Sequence, residues 1–151
     1  QRDPAPAPVP AADSPLAGLR MLLAEDNDVN ARITTSLLKL RGIDVVRARI
    51  GEEALELYED SEPGGFDAVL MDIKMPGMDG WEAARRIRAS ARPDAQRIAL
   101  VALSANAFAE DARRSRAVGM DGHIGKPVDF DELEALFGRI RSGRCKGKDN
   151  A

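Results

Sequence analysis

With 151 residues, 44% of them hydrophobic and 31% charged, the chain is sized and composed for one globular domain with a sizeable core. A net charge of −3 argues against a dedicated nucleic-acid binder, and a single cysteine, Cys145, excludes an internal disulfide framework and points to a reducing, cytoplasmic compartment. No apolar run approaches the roughly 18 residues of a transmembrane helix, and the N-terminus lacks the basic-then-apolar order of a signal peptide.

Residues 1–17 carry five prolines among small residues, a composition that cannot bury enough apolar surface to order itself. They read as a flexible Pro/Ala-rich linker, and with Gln1 in place of a starting Met the domain reads as tethered to another one. Residues 19–24 (L-R-M-L-L-A) form a first strand that runs into two acids, Glu25 and Asp26. Asn27 and Asp28 cap a helix whose apolar stripe is Val29, Ile33, Leu37 and Leu40, and Gly42 stops it. A second strand spans 43–48 and a second helix opens at Gly51.

The segment 66–80, F-D-A-V-L-M-D-I-K-M-P-G-M-D-G, organises the chain. Its continuous apolar run predicts a strand buried on both faces, ending on the carboxylate of Asp72. Met75-Pro76-Gly77 and Asp79-Gly80 make a tight loop that opens a third helix at Trp81, broken by Arg92-Pro93-Asp94. Residues 98–103 (I-A-L-V-A-L) are the most apolar strand and end on Ser104. A helix from Ala109, a weak strand 122–125, the pair Lys126-Pro127 and a last helix follow. That helix carries an Asp129/Glu132 capping pattern and an inward face of Phe130, Leu133, Leu136, Phe137 and Ile140. Residues 18–141 thus form the domain, and 142–151 read as a flexible basic tail.

Five strands alternating with five helices predict a doubly wound α/β fold, a five-stranded parallel sheet of order 2-1-3-4-5. That order leaves the second strand at an edge. The C-terminal ends of the other four bring Glu25 with Asp26, Asp72, Ser104 and Lys126 to one rim, where ligands bind in such sheets. Three acids in one crevice repel unless a cation joins them, and oxygen ligands of this kind suit Mg²⁺. A carboxylate can act as nucleophile toward phosphorus, with a lysine and a hydroxyl to neutralise and hydrogen-bond the transferred group. Lys126 and Ser104 are of those types.

The motifs L-L-A-E-D-N-D-V-N, L-M-D-I-K-M-P-G-M-D-G, L-S-A-N-A and A-V-G-M-D-G-H-I-G-K-P resemble, in order, those of response-regulator receiver domains of two-component signalling. The closest likeness is to the receivers of hybrid sensor histidine kinases, and the implied fold is flavodoxin-like. The resemblance implies that Asp72 is phosphorylated by a histidine kinase or histidine phosphotransfer protein, or by the kinase core of the same parent chain. It implies that Glu25, Asp26, Asp72 and the backbone carbonyl of Lys74 hold Mg²⁺, that Ser104 is the switch hydroxyl, and that Lys126 contacts the phosphoryl group before a cis Pro127. His123 stands where this family commonly has Tyr or Phe, so the aromatic part of the switch departs from the pattern. The implied output surface is the fourth helix, fifth strand and fifth helix.

Competing readings fail on particular residues. The run Asp26 to Asn30 imitates a calcium-binding EF-hand loop, but Ala31 replaces its turn glycine and Leu37 its bidentate acid. A haloacid-type phosphatase needs a second Asp two residues after the nucleophile, where this chain has Lys74. A phosphorylation-independent interaction module on the same fold is the remaining alternative, and it has no need to hold three carboxylates together. Neither nucleic acid nor a membrane is an expected partner.

Overall fold

The computed structural model describes residues 17–62, 64–105, 109–126 and 128–150. The linker read over 1–17, all but its last residue, and the peptide at Pro127 lie outside the described residues. The elements in chain order are β1 (Arg20–Ala24), α1 (Asp28–Leu40), β2 (Asp44–Ala48), α2 (Gly51–Asp60), β3 (Ala68–Asp72), α3 (Gly80–Ala89), β4 (Ala99–Ser104), α4 (Ala109–Ala117), β5 (Gly122–Gly125) and α5 (Phe130–Asn150). The strands pair in the order β2-β1-β3-β4-β5, every pair parallel, as the alternation of strands and helices requires.

Because successive side chains of a strand point to opposite faces, the apolar runs of β1, β3 and β4 supply two cores at once. Leu22, Val69, Met71 and Leu100 pack against α2 and α3 through Ala54, Tyr58, Ala83, Ala84 and Ile87. Met21, Leu23, Leu70, Val101 and Leu103 pack on the other face with Leu38 of α1 and with Phe130, Leu133, Leu136 and Phe137 of α5. Each fully buried side chain of this size contributes roughly 1.5 to 3 kcal/mol, so the sheet is fixed in place and its C-terminal rim with it.

Two elements depart from the sequence reading. In α1 the stripe of Val29, Ile33, Leu37 and Leu40 faces outward, with exposures of 64%, 53%, 39% and 65%, while Ala31 and Leu38 are buried. Helical spacing shows that four residues share a face, not that this face meets the sheet; small Ala31 lets the helix sit close on the opposite side. At the other end, α5 continues past Arg141, where the last helix was read to finish. No proline follows to break it.

Side-chain ties lock the helix ends. Tyr58 of α2 donates to Asp94 Oδ1 (2.7 Å), whose other oxygen accepts from the Gly64 N–H, so the loop opened by Arg92-Pro93-Asp94 is fastened to α2. Arg88 of α3 donates to the carbonyls of Gly119, Ala95 and Ile98 and to Asp121 Oδ2, which also accepts from the Leu100 N–H. One half-buried guanidinium thereby joins α3, the start of β4 and the turn into β5.

Candidate phosphoacceptor site

Glu25 follows β1 directly, with Asp26 beside it, and the chain turns into α1 on a cap in which Asn27 Oδ1 accepts from the Asn30 N–H. Glu25 is buried, because its Oε2 is drawn back to accept from the Asn27 N–H (3.1 Å), while Asp26 is exposed. Next in the sheet, Asp72 closes β3 with only 4% of its surface exposed, and its Oδ1 accepts from the Lys74 N–H (3.1 Å). The tight loop is possible because Gly80 has no side chain: a Cβ there would strike the Asp72 carbonyl oxygen and Ile73 Cα. Gly77, at a φ of 76°, takes the left-handed turn before it.

Lys126 enters from the end of β5. Its backbone N–H donates to the Ser104 carbonyl (2.7 Å), and its ammonium lies 2.8 Å from Asp72 Oδ2 and 2.8 Å from Glu25 Oε1. Burial opposes the ammonium charge, yet the two carboxylates outweigh it and raise the Lys126 pKa above 10.5. Burial likewise pushes the Glu25 carboxyl above its usual range, with the neighbouring Asp72 charge adding to it, against the Lys126 and Asn27 hydrogen bonds. One oxygen from each of Glu25, Asp26 and Asp72 lies within 4.8 Å of the others. Three hard oxygen donors so close together fit a small divalent cation, and Lys126, facing two of them, offsets only part of their charge.

The structure therefore brings Glu25, Asp26, Asp72 and Lys126 together and the Lys74 backbone beside them. Ser104 ends β4 next to β3 and is 2% exposed, but its hydroxyl donates to Asp111 Oδ2 of α4 (3.1 Å). His123 pairs with Ala102 in the sheet, and its Nε2 is buried without a hydrogen-bond partner among the described residues. Sequence reading missed Asp111, which looks like one more charge on a solvated helix. It also missed Arg47, which caps the Glu25 carbonyl and pairs with Asp28 (2.8 Å) at the edge of the site. A cleft of about 380 Å³ opens beside Glu25 and Lys126, lined also by Asn30, Ile33, Thr34 and Val128.

The response regulator receiver domain family matches residues 21–137. The chain belongs to that family. Among curated relatives, a probable histidine kinase 2 of Oryza sativa is 35% identical over 149 residues, covering 91% of this chain but only 14% of the rice protein. Among solved structures, the receiver domain of the sensor histidine kinase PA1611 from Pseudomonas aeruginosa, with a magnesium ion in its active-site cleft, is 34% identical at a TM-score of 0.71. That likeness covers 82% of this chain and 98% of that one. The receiver of Ssk1 from Saccharomyces cerevisiae, solved with the histidine phosphotransfer protein Ypd1, is 28% identical at a TM-score of 0.67, covering 78% of this chain and 85% of that one. The receiver described here is thus a two-component signalling domain of the kind found in hybrid histidine kinases. Among its described residues no helix is long and apolar enough to cross a membrane.

Proposed function

We propose that this receiver accepts a phosphoryl group on Asp72 from a phosphohistidine and relays it within a cytoplasmic phosphorelay. The observation that carries the proposal is the ammonium of Lys126 bridging Asp72 and Glu25 at 2.8 Å on each side, beside a third acid, Asp26. An oxygen of the Asp72 carboxylate forms the new bond to phosphorus as the phosphorus–nitrogen bond of the donor histidine breaks, and the imidazole leaves with a proton from solvent. Lys126 is placed to pair with an equatorial oxygen of the transferred group. Glu25, Asp26, Asp72 and the carbonyl of Lys74 are the groups that would hold Mg²⁺. When bound, the ion neutralises charge on the acids and on the phosphoryl group.

The donor is a histidine kinase or a histidine phosphotransfer protein, and the kinase core of a parent chain is a candidate, with residues 1–17 as tether. The outward stripe of α1 supports a docking place, because Ile33 also lines the cleft beside Glu25 and Lys126. A helical donor seated on that stripe would have its phosphohistidine next to Asp72. Phosphorylation then acts through Ser104 and His123 on the surface of α4, β5 and α5. The imidazole is smaller and more polar than the aromatic ring it replaces, which favours a looser coupling between the two states.

Incubation with a small phosphodonor and Mg²⁺, followed by mass spectrometry, tests the reading. One acid-labile phosphoryl group on Asp72, absent from Asp72→Asn, is the expected result. Full labelling of Asp72→Asn would overturn the assignment, and no labelling of the parent chain would favour the phosphorylation-independent module.

A further inference from the structure

Ser104 and Asp111 are joined across the boundary between sheet and helix, and the chemistry of that bond has a consequence for switching. A serine hydroxyl carries one proton and can donate it to one acceptor at a time. In this structure Asp111 Oδ2 lies at 3.1 Å as an acceptor for it. An aspartate in the first turn of α4 is favoured by the helix dipole alone, but the dipole does not require its carboxylate to reach back to the end of β4. The face of α4 that carries Asp111 is a packed one. Ser115, one turn further on, is 1% exposed and accepts from Trp81 Nε1 at 2.9 Å, and the Arg114 guanidinium lies over the Trp81 ring, 4.2 Å from its centroid. Helix α4 is therefore fastened at its N-terminal end to the sheet through Ser104 and in its C-terminal half to α3 through Trp81.

We propose that Asp111 is a positioning residue that holds the switch hydroxyl against α4, so that a phosphoryl group on Asp72 and the Asp111 carboxylate compete for the same Ser104 proton. The proposal rests on Asp72 being the phosphoacceptor. At 3.1 Å the bond is longer than the 2.7 to 2.8 Å common between oxygens, which makes it a latch that can open. A group that binds only the state with Ser104 turned to Asp72 must overcome the latch, and removing the latch raises that group's apparent affinity by the same factor. The change is also reported at a distance, since Trp81 is the only tryptophan and its indole N–H sits on α4.

The test uses the full chain with saturating Mg²⁺ and beryllofluoride as the stand-in for the phosphoryl group. Amide shifts around Asp72 measure binding, and the Trp81 indole resonance follows α4. Asp111→Ala is expected to lower the half-saturating beryllofluoride concentration about fivefold, equivalent to about 1 kcal/mol. Asp111→Asn, which keeps the shape of the side chain but loses its charge, should fall between. In a Ser104→Ala background the Asp111 substitutions should have no effect on the midpoint, because no hydroxyl remains to compete for. If the parent chain does not bind beryllofluoride, the phosphoacceptor reading fails and takes the latch with it. If it binds with the same midpoint as Asp111→Ala, or if the shift survives in Ser104→Ala, the latch alone is overturned; a purely structural role for Asp111 would lower the melting temperature without that Ser104 dependence.

Discussion

The ammonium of Lys126 lies on both buried acids, Glu25 and Asp72, and their charge is offset through it. Removing one partner of a fully buried pair costs roughly 3 to 5 kcal/mol, since a charge is left behind without compensation. Lys126 keeps 20% of its side chain exposed, and water can reach the gap it would leave. Lys126→Ala is therefore expected to lower stability by about 2 kcal/mol without divalent cations, the lower end of that range discounted for exposure. Chemical unfolding with and without Mg²⁺ checks this. The loss should shrink when the metal is present, and an unchanged unfolding midpoint in the metal-free variant would show that Glu25 and Asp72 do not depend on this lysine.

At the level of elements, α1 is the informative one. Its outer face carries Val29, Ile33, Leu37 and Leu40, while exposed Arg32 and Lys39 lie on the flank toward Arg47 of β2 and Arg49 just after it. A contiguous apolar stripe left in water next to the cleft beside Glu25 and Lys126 fits the docking place proposed above. Ile33→Glu and Leu40→Glu should leave the melting temperature nearly unchanged, because neither side chain is in the core. Transfer from a phosphohistidine donor should slow by an order of magnitude or more, while labelling by a small phosphodonor stays as in the parent. Equal slowing with both donors would mean the stripe shapes the site rather than the docking. The third helix shows the opposite case: Ala83, Ala84 and Ile87 share a face of it at helical spacing and are all fully buried.

For the molecule as a whole, the metal is the expected lever on stability. The folded sheet holds Asp72 beside the sequence neighbours Glu25 and Asp26, and unfolding parts it from them, so a cation that joins all three binds the native state. At a hundredfold excess over its dissociation constant the linkage contributes about 2.7 kcal/mol. At about 3 to 4 °C per kcal/mol for a domain of this size, the melting temperature should rise on the order of 10 °C. Asp26→Asn should remove most of that rise while changing the metal-free melting temperature little, since Asp26 is the exposed acid of the three. Calorimetry with Mg²⁺ and with chelator measures both. A melting curve indifferent to Mg²⁺ in the parent chain would exclude a metal centre here.

The sheet order and the ring of polar residues at its rim were legible in the sequence because both follow from pattern. Continuous apolar runs that end on Asp72 and Ser104, alternating with helices, allow few topologies, and the strand ends then meet by necessity. Glu25, Asp26, Asp72 and Lys126 fall where that argument puts them. Tertiary structure alone decided which way each amphipathic or polar group turns. The α1 stripe has the period of a buried face and yet looks outward, because a period fixes which residues share a face and only packing fixes which face meets the sheet. Tyr58 finds a partner in Asp94 of a distant loop, and Ser104 finds one in Asp111 of α4, because a hydroxyl selects its acceptor by distance in space. No spacing along the chain encodes that distance.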